Sequence, residues 1–301
     1  MLSKMFESLI NPQKAKPIEV FIFALVLTPI AFFFSYMLFP DYASVLGCAF
    51  VTILFVPFFQ HLFLDEEKKE EWATKHRVRE NVFHRHEHVL VYYSAFFLGV
   101  ILVLSFLFFF LPDSYRGELF EKQISELKRI SGLSTGHVIS PNASRIFINN
   151  TLVLLIAFIS SLLFGTGAVF VLSWNASVIA SFAGTWAQSL ISKGLPSSLA
   201  FLYGVPNALL AIALHGIPEI MGYFFAGFAG GILSVGLLRE KFGTPEFKKI
   251  VIDGLIFLLI GEYCIFIAAF IETGTGIMSI FEFLLWAFTM FVLFSSAKLK
   301  K

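Results

Sequence analysis

Residues 215–231 read HGIPEIMGYFFAGFAGG, a histidine and a carboxylate four positions apart inside an apolar run. The surroundings make that pair expensive. The chain of 301 residues is 57% hydrophobic and 14% charged, with a mean hydropathy of +0.81, a composition of polytopic membrane proteins that excludes a soluble globule. A charged side chain at a bilayer centre costs about 2.5–3.5 kcal/mol on insertion scales. Within HGIPE, Pro218 lacks an N–H and crowds the preceding turn while Gly216 relaxes the chain, so a break or kink is expected between His215 and Glu219. A tight reversal there puts Glu219 in the first turn of the next helix, where free N–H groups and the positive dipole end favour a carboxylate. Three roles then fit the pair: a hydrogen-bonded clamp pinning two helix ends, a catalytic or ion-handling couple, and a partner-binding site.

Working outward, hydropathy places spans at 18–39, 44–64, 89–111, 146–172, 198–214, 216–238, 250–271 and 277–294. The segment 175–194, NASVIASFAGTWAQSLISKG, is less apolar and close to the minimum spanning length, so it either crosses or dips into the membrane. Basic residues arbitrate. With a cytoplasmic N-terminus and no crossing by this segment, 17 of the 22 Lys and Arg lie inside and 5 outside; a crossing reverses the bias to 9 and 13. The expected fold is therefore an all-α polytopic transmembrane helix bundle of about eight spans plus one re-entrant or in-plane helix, in the cell membrane with both termini cytoplasmic. Lys4, Lys14 and Lys16 precede the first run, which is too long for a signal peptide and has no small-residue cleavage site, so it is read as a retained span. Cys48 and Cys264 lie far apart in apolar segments and read as small buried hydrophobes.

Two rows of small residues recur at four-residue spacing. Ala176, Ala180, Gly184 and Gln188 form one, and Gly222, Ala226, Gly230 and Ser234 the other. In lipid, where no hydrophobic force drives helices together, such rows permit the close van der Waals contact that holds a bundle. They are the expected packing seams, and an exposed row would suit a homodimer or another membrane-protein partner. Gly and Ala are also simply frequent in membrane helices.

The segment 65–88 combines strong helix formers with alternating charge and is expected to extend a span as a helix into the cytoplasm. Glu80, His84 and His88 share a face there, and His84 with His88 is a weak candidate metal pair. A solvated basic helix beside anionic headgroups, with Trp72 at the interface, explains the same residues. The opposite-side loop, 112–145, holds one helical piece and a Gly, Ser and Pro-rich remainder. No Walker A loop, zincin helix, nucleophile elbow or dinucleotide fingerprint occurs, so no cofactor, nucleic-acid partner or catalytic residue is assigned.

Ionisable residues within spans are functional candidates by default. Here they are His215, Glu219, Glu262, Glu282 and, near an outer end, Glu272, with no Lys or Arg in any span core. Each carboxylate must be answered by a proton, by His215, or by a cation or polar substrate. Asn149, Asn150, Asn175, Gln188 and Asn207 can add neutral hydrogen bonds, and a protonated Glu262 bonded to an asparagine is the plainest reading of that residue.

RIFINNTLVLLIAF (145–158), Gly165 and Gly167, Asn175, the HGIPE stretch with Gly230 and Gly231, and AAFIE (268–272) together resemble the core of the stage II sporulation protein M family of integral membrane proteins. The resemblance spans about 145–272 and carries over Asn149, Asn150, Asn175, His215, Glu219 and Glu272. It divides the chain into a three-span N-terminal region (1–111) with its helical extension (65–88), an extracytoplasmic loop (112–145) and a family-like membrane core (146–301). It implies a membrane protein that, in spore formers, looks like a scaffold for cell-wall hydrolases. The expected functions, in order, are a membrane scaffold or assembly protein, a transporter or channel using intramembrane carboxylates, and a membrane enzyme using His215 and Glu219.

Overall fold

A computed structural model describes residues 15–76, 81–135, 143–274 and 277–295, and these hold helices and no strand. In chain order the helices are α1 (Pro17–Leu38), a 3₁₀ turn (Pro40–Tyr42), α2 (Ala43–Lys75), α3 (Val82–Phe110), α4 (Asp113–Leu119), α5 (Glu121–Thr135), α6 (Ala143–Phe164), α7 (Ala168–Ile191), α8 (Ser197–Arg239), α9 (Pro245–Thr273) and α10 (Ile277–Ser295). Eight of them are long and apolar enough to cross a membrane, all except α4 and α5.

Helix ends follow local chemistry. Pro17 opens α1 and Pro245 opens α9, each where a missing N–H removes no helical bond. The Asn81 side chain accepts the Phe83 N–H at 2.9 Å to cap α3, and Thr244 Oγ1 accepts the Phe247 N–H at 3.2 Å to cap α9. Reversals fall at Gly165 (φ +75°), between α6 and α7, and near Gly194 (φ +93°), between α7 and α8.

The expected break at HGIPE does not occur. Residues 198–214 and 216–238 belong to one helix, the 43-residue α8, with Pro206 and Pro218 both inside it. An interior proline removes a backbone bond but cannot by itself turn a helix around, and neighbouring helices hold the chain on both sides of it. At 1.5 Å per residue α8 is about 65 Å long, roughly twice a hydrocarbon core of about 30 Å. The segment expected to be re-entrant is likewise corrected: it is most of α7, a 24-residue helix, and the run 146–172 stops at Phe164 instead of continuing. Merging two expected spans and gaining one leaves the total at eight.

Small residues explain how α8 sits at the centre. Gly204 meets Ala187 and Gly227 meets Ala168, so α7 runs antiparallel to it; Gly222 meets Gly261 and Gly236 meets Ile250, so α9 does too. Gly230 lies against the Phe158 carbonyl of α6, and Gly231 against the Phe63 ring of α2. A Cβ on Gly222 would lie 2.9 Å from the Gly261 carbonyl oxygen, too close for any larger residue without a shift. On α7, Gly184 faces the Phe108 ring of α3, and Ala176 and Ala180 are buried. Stacked rings fill the space between α2, α3 and α8: Phe59 on Tyr93 at 5.0 Å and Tyr93 on Phe224 at 5.4 Å.

Both described ends dock beside the start of α3, since Tyr92 Oη donates to the Ala15 carbonyl at 2.8 Å and Asn81 Nδ2 to the Leu293 carbonyl at 2.6 Å. Helix α7 runs parallel to α3, which carries Lys193 to the opposite side from these ends and not to the side expected of it. On that opposite side, buried Gln123 of α5 donates to the Ser44 carbonyl at 3.1 Å and to Ser177 Oγ at 3.0 Å, fastening α5 over α2 and α7. Cys48 and Cys264 are free and buried.

Candidate functional site

Polar side chains gather in two places. The first lies between α6, α8 and α9. Tyr223 Oη, one turn beyond Glu219 on α8, donates to Glu219 Oε1 at 2.9 Å, and the Asn150 amide of α6 lies close enough to act on that carboxylate. Asn149 Nδ2 in turn donates to Asn150 Oδ1 at 3.1 Å. Glu272 of α9 lies close enough for its charge to act on Glu219. From the next position on α6, Thr151 Oγ1 donates to Glu262 Oε1 of α9 at 2.6 Å. The cluster supplies what the lipid cannot, a hydroxyl donor for an embedded acid: Tyr223 for Glu219 within α8, and Thr151 of α6 for Glu262 on α9.

Several expectations change here. No hydrogen bond joins His215 to Glu219: the unbroken helix leaves them a turn apart, and Tyr223 bonds the carboxylate instead. Glu262 is bonded to a threonine and not to an asparagine. Asn175 turns back on its own helix, Nδ2 to the Val171 carbonyl at 2.8 Å, and does not join the cluster. On α10, Glu282 Oε2 is buried without a hydrogen-bond partner among the described residues.

The second gathering is at the end of the bundle where α2 and α3 meet α8 and α9. Glu66, Glu67 and Glu70 of α2, Arg85 and His86 of α3 and Asp253 of α9 are all buried. His86 lies between two carboxylates, Nδ1 to Glu66 Oε2 at 2.5 Å and Nε2 to Glu70 Oε1 at 2.8 Å. Ionised carboxylates only accept, so both ring nitrogens act as donors. Arg85 spans Glu70 (Nε to Oε1, 2.7 Å) and Asp253 (Nη2 to Oδ2, 2.9 Å), and Lys249 reaches both Asp253 oxygens at 2.7 Å. His88 and Lys69 complete Glu66 at 2.5 and 2.8 Å, and Arg239 at the end of α8 pairs with Glu67 at 2.9 Å.

This overturns the picture of 65–88 as a solvated helix. It continues both α2 and α3, and its acidic face turns inward because Arg85, His86 and the ends of α8 and α9 meet it there. Trp72 is exposed and stacks on His76 at 4.5 Å. The proposed metal pair separates as well: His84 turns to Glu87 at 3.2 Å and His88 to Glu66, while Glu80 lies outside the described residues. Glu70, His86 and Asp253 offer ligand atoms within 4.8 Å of one another, but Arg85 and Lys249 already occupy those carboxylates and would repel a metal ion. Beside the network an open cavity of about 490 Å³ is lined by Lys68, Lys69, Trp72 and His84.

Tyr223, Thr151, His86, Arg85 and Asp253 were not singled out by the sequence reading. The i, i+4 spacings Glu219–Tyr223 and Lys249–Asp253 are signals that could have found two of them; the others depend on which helices lie side by side.

The unbroken α8, the seven other apolar helices around it and the acids held by neutral donors define a multi-pass helical membrane protein. The sequence pattern of Stage II sporulation protein M matches residues 88–275, more than half of the chain, which therefore belongs to that family. The match is wider than the resemblance over 145–272, taking in α3 and the α4–α5 segment. No curated protein and no solved structure matches the chain.

Proposed function

We propose that this chain is a membrane scaffold or assembly protein of the SpoIIM type, in the cell membrane with both termini cytoplasmic, that holds a second copy of itself or another membrane protein. The observation that carries this reading is the use of its embedded acids. Thr151 of α6 donates to Glu262 of α9, and Asn150 of α6 lies close enough to Glu219 of α8 to act on its carboxylate, so both acids serve as fasteners between α6, α8 and α9. The ionic network does the same for α2, α3, α8 and α9 at one end, and a bundle tied at two levels suits a platform better than a machine with moving parts. Crosslinking in native membranes tests it: a discrete dimer or complex is expected, and recovery of isolated monomer alone refutes it.

A transporter or channel is the second reading, favoured by the grouping of Asn149, Asn150, Glu219 and Glu272 at one level of the bundle. Reconstituted protein that moves ions or small solutes, with flux lost in Glu219→Gln, would put this reading first. The enzymatic reading is weaker, because His215 lacks the bond to Glu219 that would orient it as an acid or base.

A further inference from the structure

We propose that Glu67, Glu71 and Glu240 form a binding site for a hard divalent cation of the calcium, magnesium or manganese kind, joining α2 to the end of α8. This is independent of the scaffold reading. One carboxylate oxygen from each residue lies within 4.8 Å of the others, a spread that fits oxygens arranged around a cation at about 2.3–2.6 Å. Glu67 and Glu71 are one turn apart on the same face of α2. Glu240 is the first residue beyond α8, its N–H bonded to the Gly236 carbonyl at 2.9 Å, and the negative end of the helix dipole points where a cation would sit.

Glu67 supplies the independent sign of a missing ligand. Its side chain is 0% exposed, and Oε1 meets no donor among the described residues. Arg239 Nε comes within 2.9 Å of Oε2, without the alignment of a hydrogen bond. A buried carboxylate oxygen left without a partner is strongly unfavourable, and a cation answers it directly. The charges agree: Arg239 and Lys75, which pairs with Glu71, leave one of the three carboxylates uncompensated. Glu70 Oε2 is also buried without a hydrogen-bond partner among the described residues, but there Arg85, His86 and Lys249 already bring positive charge to Glu70 and Asp253. An all-oxygen set selects hard cations over zinc or copper, and Glu71 and Glu240 are only partly buried, so water can complete the coordination.

The test uses the full chain in detergent, stripped with EDTA and titrated with Mn²⁺ while its electron paramagnetic resonance signal is followed. Expected are loss of the free-ion signal for one Mn²⁺ per chain, its return when Ca²⁺ competes, and at least ten-fold weaker binding in Glu240→Gln. That substitution lies on the partly exposed rim, so folding is retained, and Glu71→Gln provides a second variant. A free-ion spectrum unchanged by the protein at millimolar Mn²⁺ overturns the proposal, and so does equally tight binding in both variants. If two of the carboxyl groups share a proton instead, Mn²⁺ leaves the unfolding temperature unchanged, with the same consequence.

Discussion

The two polar gatherings solve one problem by different chemistry. At the bundle end, where α2 and α3 carry 65–88, charges of both signs meet: Glu66, Glu70 and Asp253 are matched by His86, Arg85, Lys249 and Lys69. Between α6, α8 and α9 no cation joins the donors described, and the acids are held by the hydroxyls of Tyr223 and Thr151, with Asn150 beside Glu219. Ion pairing needs both partners to be brought out of water together, which is feasible at the edge of the bilayer and prohibitive in its middle. The family match sharpens the contrast. It begins at residue 88, so the membrane cluster lies wholly within it, whereas Glu66, Glu67, Glu70, Arg85 and His86 precede it. The ionic network is thus where α2, which precedes the family match, is fastened to α3, α8 and α9.

The contrast can be broken by substitution. Arg85→Met strands Glu70 and Asp253 without their shared partner, and a loss of about 3–5 kcal/mol is expected in unfolding titrations of the detergent-solubilised protein. A loss no larger than that for the membrane pairs would erase the distinction. Gly230→Leu drives a side chain into the α6 backbone at Phe158 and should lower stability by about 1–3 kcal/mol by the same measurement. For the membrane pairs, Thr151→Val is expected to cost about 1–2 kcal/mol, and a double-mutant cycle with Glu262→Gln should assign most of it to that contact. Tyr223→Phe, with Asn150 still beside Glu219, should cost about 0.6 kcal/mol. The smallest effect belongs to His215→Ala, within about 0.5 kcal/mol, because no hydrogen bond is lost.

How much could be read in advance differs between the two places. Glu219, Glu262 and Asn150 stood out as polar residues in apolar runs, because a bilayer makes such residues conspicuous one at a time. Their partners were hidden: a tyrosine or threonine in a span looks ordinary until a neighbouring helix brings an acid to it. His86 lay between two other histidines, His84 and His88, and only the packing of α2 against α3 distinguishes it from His84, which turns to Glu87. At HGIPE a local rule prevailed in the reading, that Pro and Gly together break a helix, whereas contacts from α2, α6, α7 and α9 along the whole of α8 keep it intact.

The amino-acid order alone determined an all-helical membrane bundle and pointed to its family, since lipid admits only apolar spans with internally bonded backbones and motif order persists without coordinates. The tertiary structure alone decided which spans are one helix, where α7 runs, and which donor answers each acid. Those depend on side chains meeting across residues far apart in the chain, a geometry that no periodicity within a single helix encodes.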